Sequence, residues 1–293
     1  MIERRTFMAA AAGATLLAAA PAKAPKSGVF GKPRLAAEVA RLERRSGGRL
    51  GVAVLDTATG ARFAHRGDER FPLASTFKFL LAGATLRRVD KGLEQLDRRI
   101  AVPAASIVAN SPFSKSRAGG TASVGELCEA IVTLSDNAGA NLLLAPLGGP
   151  PGLTRYIRAM GDPVTRLDRF EPAMNSFSET NPRDTTTPRA MTDDLATFLL
   201  GDVLSPASRA QLLAWATATS TGPGRIRSGV PAGWTVAHKT GTSGEGDFND
   251  VAFLKPPGRA PLLLSIYLSR SKLEWAPSEG ILAAVARAVA AEV

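Results

Sequence analysis

Phe71-Pro72-Leu73-Ala74-Ser75-Thr76-Phe77-Lys78 marks the point where this chain changes pattern. Before it, Arg49 to Asp56 reads as a strand, Asp56-Thr57-Ala58-Thr59-Gly60 as a turn and Ala61 to His65 as its hairpin partner. Residues 35–46, with Leu35, Val39 and Leu42 on one face, read as a helix stopped by Gly47-Gly48. From Ser75 to about residue 215 the pattern is mainly helical, broken by Pro- and Gly-rich loops at 103–122, 145–152 and 161–190. Strand character returns at Trp234 to Thr242, Asp250 to Leu254 and Leu262 to Ser269, and Ser278 to Val293 reads as a closing helix. Strands near both ends with helices between them predict an α/β plus all-α fold. Its five-stranded antiparallel sheet is flanked by helices, with a helical domain inserted. The expected α/β domain is 23–66 with 216–293, and the helical domain is 67–215. A site is expected in the cleft between the layers.

The chain has 293 residues, 45% of them hydrophobic and 21% charged, enough to bury a full core. Glu3-Arg4-Arg5-Thr6-Phe7-Met8, the apolar stretch Phe7 to Ala20 and Ala20-Pro21-Ala22 describe an export signal too short for a membrane span. The arginine pair resembles a twin-arginine address, with cleavage expected after Ala22. The expectation is therefore an exported, periplasmic protein, not inserted in a membrane once the signal is cleaved. The formal charge of +10 falls to +9 when Glu3, Arg4 and Arg5 leave. The arginines are scattered, with no aromatic-interleaved cluster and no DNA-binding motif, so a basic surface attracting carboxylated small molecules is expected rather than nucleic-acid binding. Cys128 is the single cysteine, so no intramolecular disulfide forms, and its helical apolar context predicts a buried structural thiol. No zinc spacing is present, and neither His65 nor His238 belongs to a triad.

The chemistry is carried by ordered short motifs. Ser-x-x-Lys alone is weak, since Ser269-Arg270-Ser271-Lys272 matches it as well as Ser75-Thr76-Phe77-Lys78. Context separates them: Ser75 opens a helical run with Lys78 one turn on, on the same face. A desolvated lysine can take the proton of a serine nucleophile; the bland alternative for Ser75 is a helix N-cap. Ser135-Asp136-Asn137 follows a helix over 124–134. Read chemically, Ser135 passes a proton to a departing amine, Asn137 donates to a substrate amide and Asp136 braces the loop. Read blandly, it is a helix-ending turn with Asn137 left-handed. Lys239-Thr240-Gly241 lies on a strand whose edge amides could pair with substrate and polarise its carbonyl, its ammonium and hydroxyl facing a carboxylate.

Taken in order, with Glu171-Pro172-Ala173-Met174-Asn175 between the last two, these motifs resemble those of a class A serine β-lactamase. The resemblance runs from about residue 33 to the C-terminus. It implies the β-lactamase/transpeptidase-like fold and hydrolysis of penicillins and cephalosporins through a seryl acyl-enzyme, giving antibiotic resistance, with no cofactor or metal and a monomer acting on a small β-lactam. By resemblance the catalytic residues are Ser75, Lys78, Ser135 and Glu171. Substrate-binding residues are Asn137, Asn175, Arg225, Lys239, Thr240 and Thr242, and the oxyanion hole is the backbone N–H of Ser75 and Thr242. The Ω loop spans 169–184, with Arg169 paired to Asp184 and a cis Glu171–Pro172 peptide.

Three departures stand out. Asn110 occupies a rim position where many members have an aromatic residue, and His238 stands where Asp is common. No arginine lies between Ser243 and Leu254, leaving Arg225 as the alternative guanidinium for the substrate carboxylate. Thr242-Ser243 resembles members that accept bulky cephalosporins. The rival reading, a penicillin-binding D-alanyl-D-alanine carboxypeptidase, shares the three motifs but lacks the Glu171–Asn175 element.

Overall fold

The computed structural model describes residues 33–293 apart from 179, so the export-signal expectation lies outside the described residues. A five-stranded sheet is built from β1 (Arg49–Asp56), β2 (Arg62–His65), β3 (Thr235–Thr242), β4 (Phe248–Lys255) and β5 (Leu262–Ser269) in the order β2-β1-β5-β4-β3. Every neighbouring pair is antiparallel. The two ends of the chain meet at β1 and β5, where Arg49 pairs with Ser269 and Asp56 with Leu262.

The run Leu262-Leu263-Leu264-Ser265-Ile266-Tyr267-Leu268 is almost uninterrupted in apolar character because both of its faces are covered. Leu262, Leu264, Ile266 and Leu268 join one core with α1 (Pro33–Ser46) and the closing helix α6 (Trp275–Ala290). Leu263 and Tyr267 join a second core with α2 (Phe77–Asp90), α3 (Val124–Thr133), α4 (Asn137–Leu144) and α5 (Pro188–Leu199). Side chains alternate between faces along a strand, so one strand serves two layers.

Helix α2 is buried from Phe77 to Leu86, a core helix rather than an amphipathic one. It is preceded by a 3-10 turn, Ala74–Thr76, that carries Ser75. Closing helix α6 begins at Trp275, three residues before the sequence expectation. Pro277 lies in its first turn, where a proline loses no intrahelical bond, so the helix runs through it from Trp275.

Candidate active site

Ser75 stands where edge strand β3 meets the turn before α2. A Cβ added to Gly241 would lie 3.1 Å from Ser75 N and 3.0 Å from Leu73 O, tighter than ordinary packing, so glycine lets the strand approach this closely without displacing the turn. Ala74 has φ 41°, a left-handed conformation uncommon for a residue with a Cβ, immediately before the serine. Ser75 caps no helix; its Oγ accepts from Lys78 Nζ at 2.9 Å. The second Ser-x-x-Lys match is structural: Ser269 Oγ donates to Asp247 Oδ1 at the end of β5.

Lys78 is fully buried and surrounded by oxygens. Its Nζ lies 2.9 Å from Ser75 Oγ, 2.8 Å from Ser135 O, 3.4 Å from Ser135 Oγ and 3.1 Å from Glu171 Oε1, with Asn137 Oδ1 also in contact. Five acceptors surround a group with three protons. Burial pulls Lys78 below the usual lysine range, and the Glu171 carboxylate opposes the shift.

Ser135 corrects the bland reading of its motif. The left-handed residue is Ser135, φ 62°, not Asn137, which starts α4. Asp136 caps that helix, accepting from Gly139 N, Ser114 N and Ser114 Oγ, and so braces the loop. The twist aims Ser135 Oγ between two lysines: Lys239 Nζ donates to it at 3.0 Å and Lys78 Nζ lies at 3.4 Å. Lys239 is also wholly buried, and burial together with the positive charge of Lys78 holds it well below its ordinary pKa.

Asn137 donates through Nδ2 to Ala109 O at 2.9 Å, leaving its second amide hydrogen for the cleft. Asn110, at the rim as expected, donates to Ser135 O at 3.1 Å.

On the opposite wall the neck of the Ω loop is closed by Arg169 Nε donating to Asp184 Oδ2 at 2.6 Å, and Glu171–Pro172 is cis. Asn175 Nδ2 donates to Glu171 Oε2 at 2.6 Å. Asn175 Oδ1 accepts no hydrogen bond from the protein, and Glu171 Oε1 has only the Lys78 ammonium beside it, at 3.1 Å. Asn141 was missed by the sequence reading. It accepts from Glu171 N at 3.0 Å and donates to Glu171 O at 2.9 Å, clamping that residue from both sides. Its one available signal was its place four residues after Asn137, on the same helical face.

The far end of the cleft is organised by Arg225, 2% exposed. Its Nη1 donates to Gly241 O and Asn249 O, both 2.9 Å, its Nη2 to Thr242 Oγ1 at 2.8 Å and its Nε to Glu279 Oε1 at 3.0 Å. One guanidinium hydrogen is left over, and the Thr242 hydroxyl, having accepted, keeps its own proton to donate. Ser243 N donates inward to Asp247 O, so by strand alternation the preceding Thr242 N–H faces outward, towards the cleft. Thr221 Oγ1 and Thr240 Oγ1 share a hydrogen bond of 2.6 Å. The cleft holds about 690 Å³ and is lined by Ser75, Ser135, Asn137, Asn175, Thr240 and Thr242 among others. Among the described residues no group of three or more His, Cys, Asp or Glu could hold a metal ion, and no helix is long and apolar enough to cross a membrane.

A serine bonded to a buried lysine, faced by strand-edge amides and by a buried carboxylate paired to that lysine, defines a serine acyl-transfer hydrolase. The family described as the Beta-lactamase enzyme family matches residues 34–293. The chain is 45% identical over 250 residues to β-lactamase AST-1 of Nocardia asteroides, covering 85% of this chain and 81% of that one. It is 41% identical to β-lactamase L2 of Stenotrophomonas maltophilia over 98% of both chains. The solved class A β-lactamase of the last common ancestor of Gram-negative bacteria is 56% identical, superimposes with a TM-score of 0.86, and is covered over 98% of its length and 88% of this chain. The chain belongs to the class A β-lactamases and is a hydrolase of the β-lactam amide.

Proposed function

We propose that the β-lactam is opened by Ser75 Oγ, which attacks the lactam carbonyl while its proton passes to the Lys78–Glu171 pair. The observation that carries this is the Ser75 Oγ–Lys78 Nζ hydrogen bond of 2.9 Å, made by a lysine whose burial disfavours its charged form. The backbone N–H groups of Ser75 and Thr242 polarise the carbonyl oxygen, where negative charge develops. Ser135, poised between Lys78 and Lys239, delivers a proton to the ring nitrogen as the C–N bond breaks.

The ester is then hydrolysed by a water bound to Glu171 Oε1, which keeps acceptor capacity beyond its Lys78 contact, and to Asn175 Oδ1, which no protein group satisfies. Glu171 takes the water's proton, hydroxide adds to the ester carbonyl, and Ser75 leaves with a proton returned through Lys78. Thr240, Thr242 and Lys239 hold the substrate carboxylate, Arg225 reinforcing it through the Thr242 hydroxyl, and Asn137 donates to the substrate's side-chain amide.

The same reading takes the helical domain as 67–215 and the enzyme as a monomer exported to the periplasm by the twin-arginine route. Lysine at positions 4 and 5 should therefore leave activity in the cytoplasm, and unchanged export would refute that route. Steady-state hydrolysis of benzylpenicillin tests the mechanism. Ser75→Ala should lose roughly 10⁴–10⁶-fold in turnover, and near-normal turnover would overturn it.

A further inference from the structure

Trp275 is 58% exposed, and it lines the active-site cleft beside Thr242, Gly244, Arg225 and Glu279. The other large hydrophobic residues described as exposed (Leu93, Leu134, Phe170, Leu200 and Val293) lie outside the cleft lining. The indole is not loose. It makes a T-shaped contact with Phe248, centroids 5.1 Å apart and planes at 79°, and Phe248 in turn lies 5.3 Å from the Arg225 guanidinium carbon. A T-shaped contact covers at most one face of a ring, so at least one indole face remains open. Glu279 lies one helical turn on from Trp275, on the same face of α6, and neutralises Arg225 at 3.0 Å. A cation brought over the indole therefore meets a compensated guanidinium rather than a bare one.

We propose that Trp275 is a specificity-determining residue, forming the wall of a subsite for the substituent on the ring carbon adjacent to the substrate's carboxylate-bearing carbon, with preference for flat cationic heteroaryl groups. This rests on the carboxylate lying at Thr240 and Thr242, as proposed above. In a cephalosporin the ring carbon C-3, which bears the substituent, is bonded directly to the carbon that carries the carboxylate. A carboxylate anchored on Thr242 thus delivers that substituent to the adjoining wall, while the acylamino group extends the other way, towards Asn137 and Asn175. Indole is the best side-chain partner for a cation over its face, and aromatic stacking supplies the preference for flat groups. Penicillins carry two methyl groups at the corresponding carbon and gain little from it.

The test compares cephaloridine with cephalothin, which share the thienylacetyl side chain and differ at C-3, pyridiniummethyl in one and acetoxymethyl in the other. In Trp275→Ala the ratio of KM for cephaloridine to KM for cephalothin should rise by about 3- to 30-fold, the range of a cation over an aromatic face. Trp275→Phe should retain most of the preference and reports the ratio if the alanine variant does not fold. Tm and benzylpenicillin turnover of each variant show that it is folded and active. A parallel change on both cephalosporins, leaving the ratio unaltered, overturns the subsite while the acyl-enzyme mechanism stands. Failure of the wild type to hydrolyse any of the three compounds overturns both.

Discussion

Replacing Arg225 with alanine separates two jobs that one guanidinium performs. The side chain is 2% exposed, and the Glu279 side chain it pairs with is 12% exposed. Removing one partner of a buried pair strands the other charge, at about 3–5 kcal/mol. Glu279 keeps some contact with water, so the lower end applies, about 3 kcal/mol. At about 2–4 °C per kcal/mol for a protein of this size, Tm should fall by about 6–12 °C.

The catalytic loss is a different quantity. The substrate carboxylate loses a charge-assisted interaction relayed through Thr242 Oγ1, about 1.5–3 kcal/mol, or roughly 10- to 150-fold in kcat/KM, expressed more in KM than in kcat. The double variant Arg225→Ala/Glu279→Gln removes the stranded charge. It should recover most of the lost Tm and none of the lost kcat/KM. Thermal denaturation gives the first quantity, and kinetics on benzylpenicillin and its methyl ester give the second. The ester has no anion to lose and should be nearly indifferent to the substitution. Equal losses on acid and ester would show that Arg225 acts only by shaping β3, and wild-type kinetics would show that Lys239 carries the carboxylate alone.

Glu171→Gln preserves the shape of the side chain but not its basicity. Deacylation should slow by about 10²–10⁴-fold, the usual contribution of a general base, so penicilloyl-enzyme accumulates; an adduct clearing at the wild-type rate would refute the role given to Glu171. Asp194 is a buried carboxyl that burial, and next the carboxylate of Asp162, hold well above the ordinary carboxylate range. The folded chain therefore binds this proton more tightly than the unfolded one. The stability it contributes is complete below the unfolded value of about 3.9 and is lost as pH rises through the raised folded value. Asp194→Asn needs no such proton, so its Tm should exceed that of the wild type at pH 8 by more than at pH 4.5, and a gap that does not grow with pH would refute this.

What could be read in the sequence was what short-range geometry dictates. The one-turn spacing of Ser75 and Lys78 and the β3 run ending in Lys239-Thr240-Gly241-Thr242 need only helix and strand periods to be placed. Five strands were legible because their apolar runs are bounded by turns, although β4 begins at Phe248, two residues before the pattern suggested. Less legible were features decided across the chain. The left-handed twist at Ser135 is coupled to Asp136 gripping Ser114, 22 residues away in sequence. Asn141 matters because Glu171 docks on it from 30 residues away. Glu279 and Trp275 became visible only when α6 was seen to start before its proline and to turn one face towards Arg225.

The central claim, a serine acyl-enzyme that forms and is then hydrolysed, is tested most directly by time-resolved intact-mass spectrometry of the purified protein mixed with benzylpenicillin. The account predicts a transient adduct of the mass of one penicillin, located by peptide mapping on Ser75, that decays to unmodified protein as penicilloic acid appears. A persistent adduct would contradict it and point to a penicillin-binding peptidase, and turnover with no adduct on Ser75 in either the wild type or Glu171→Gln would contradict the covalent mechanism itself.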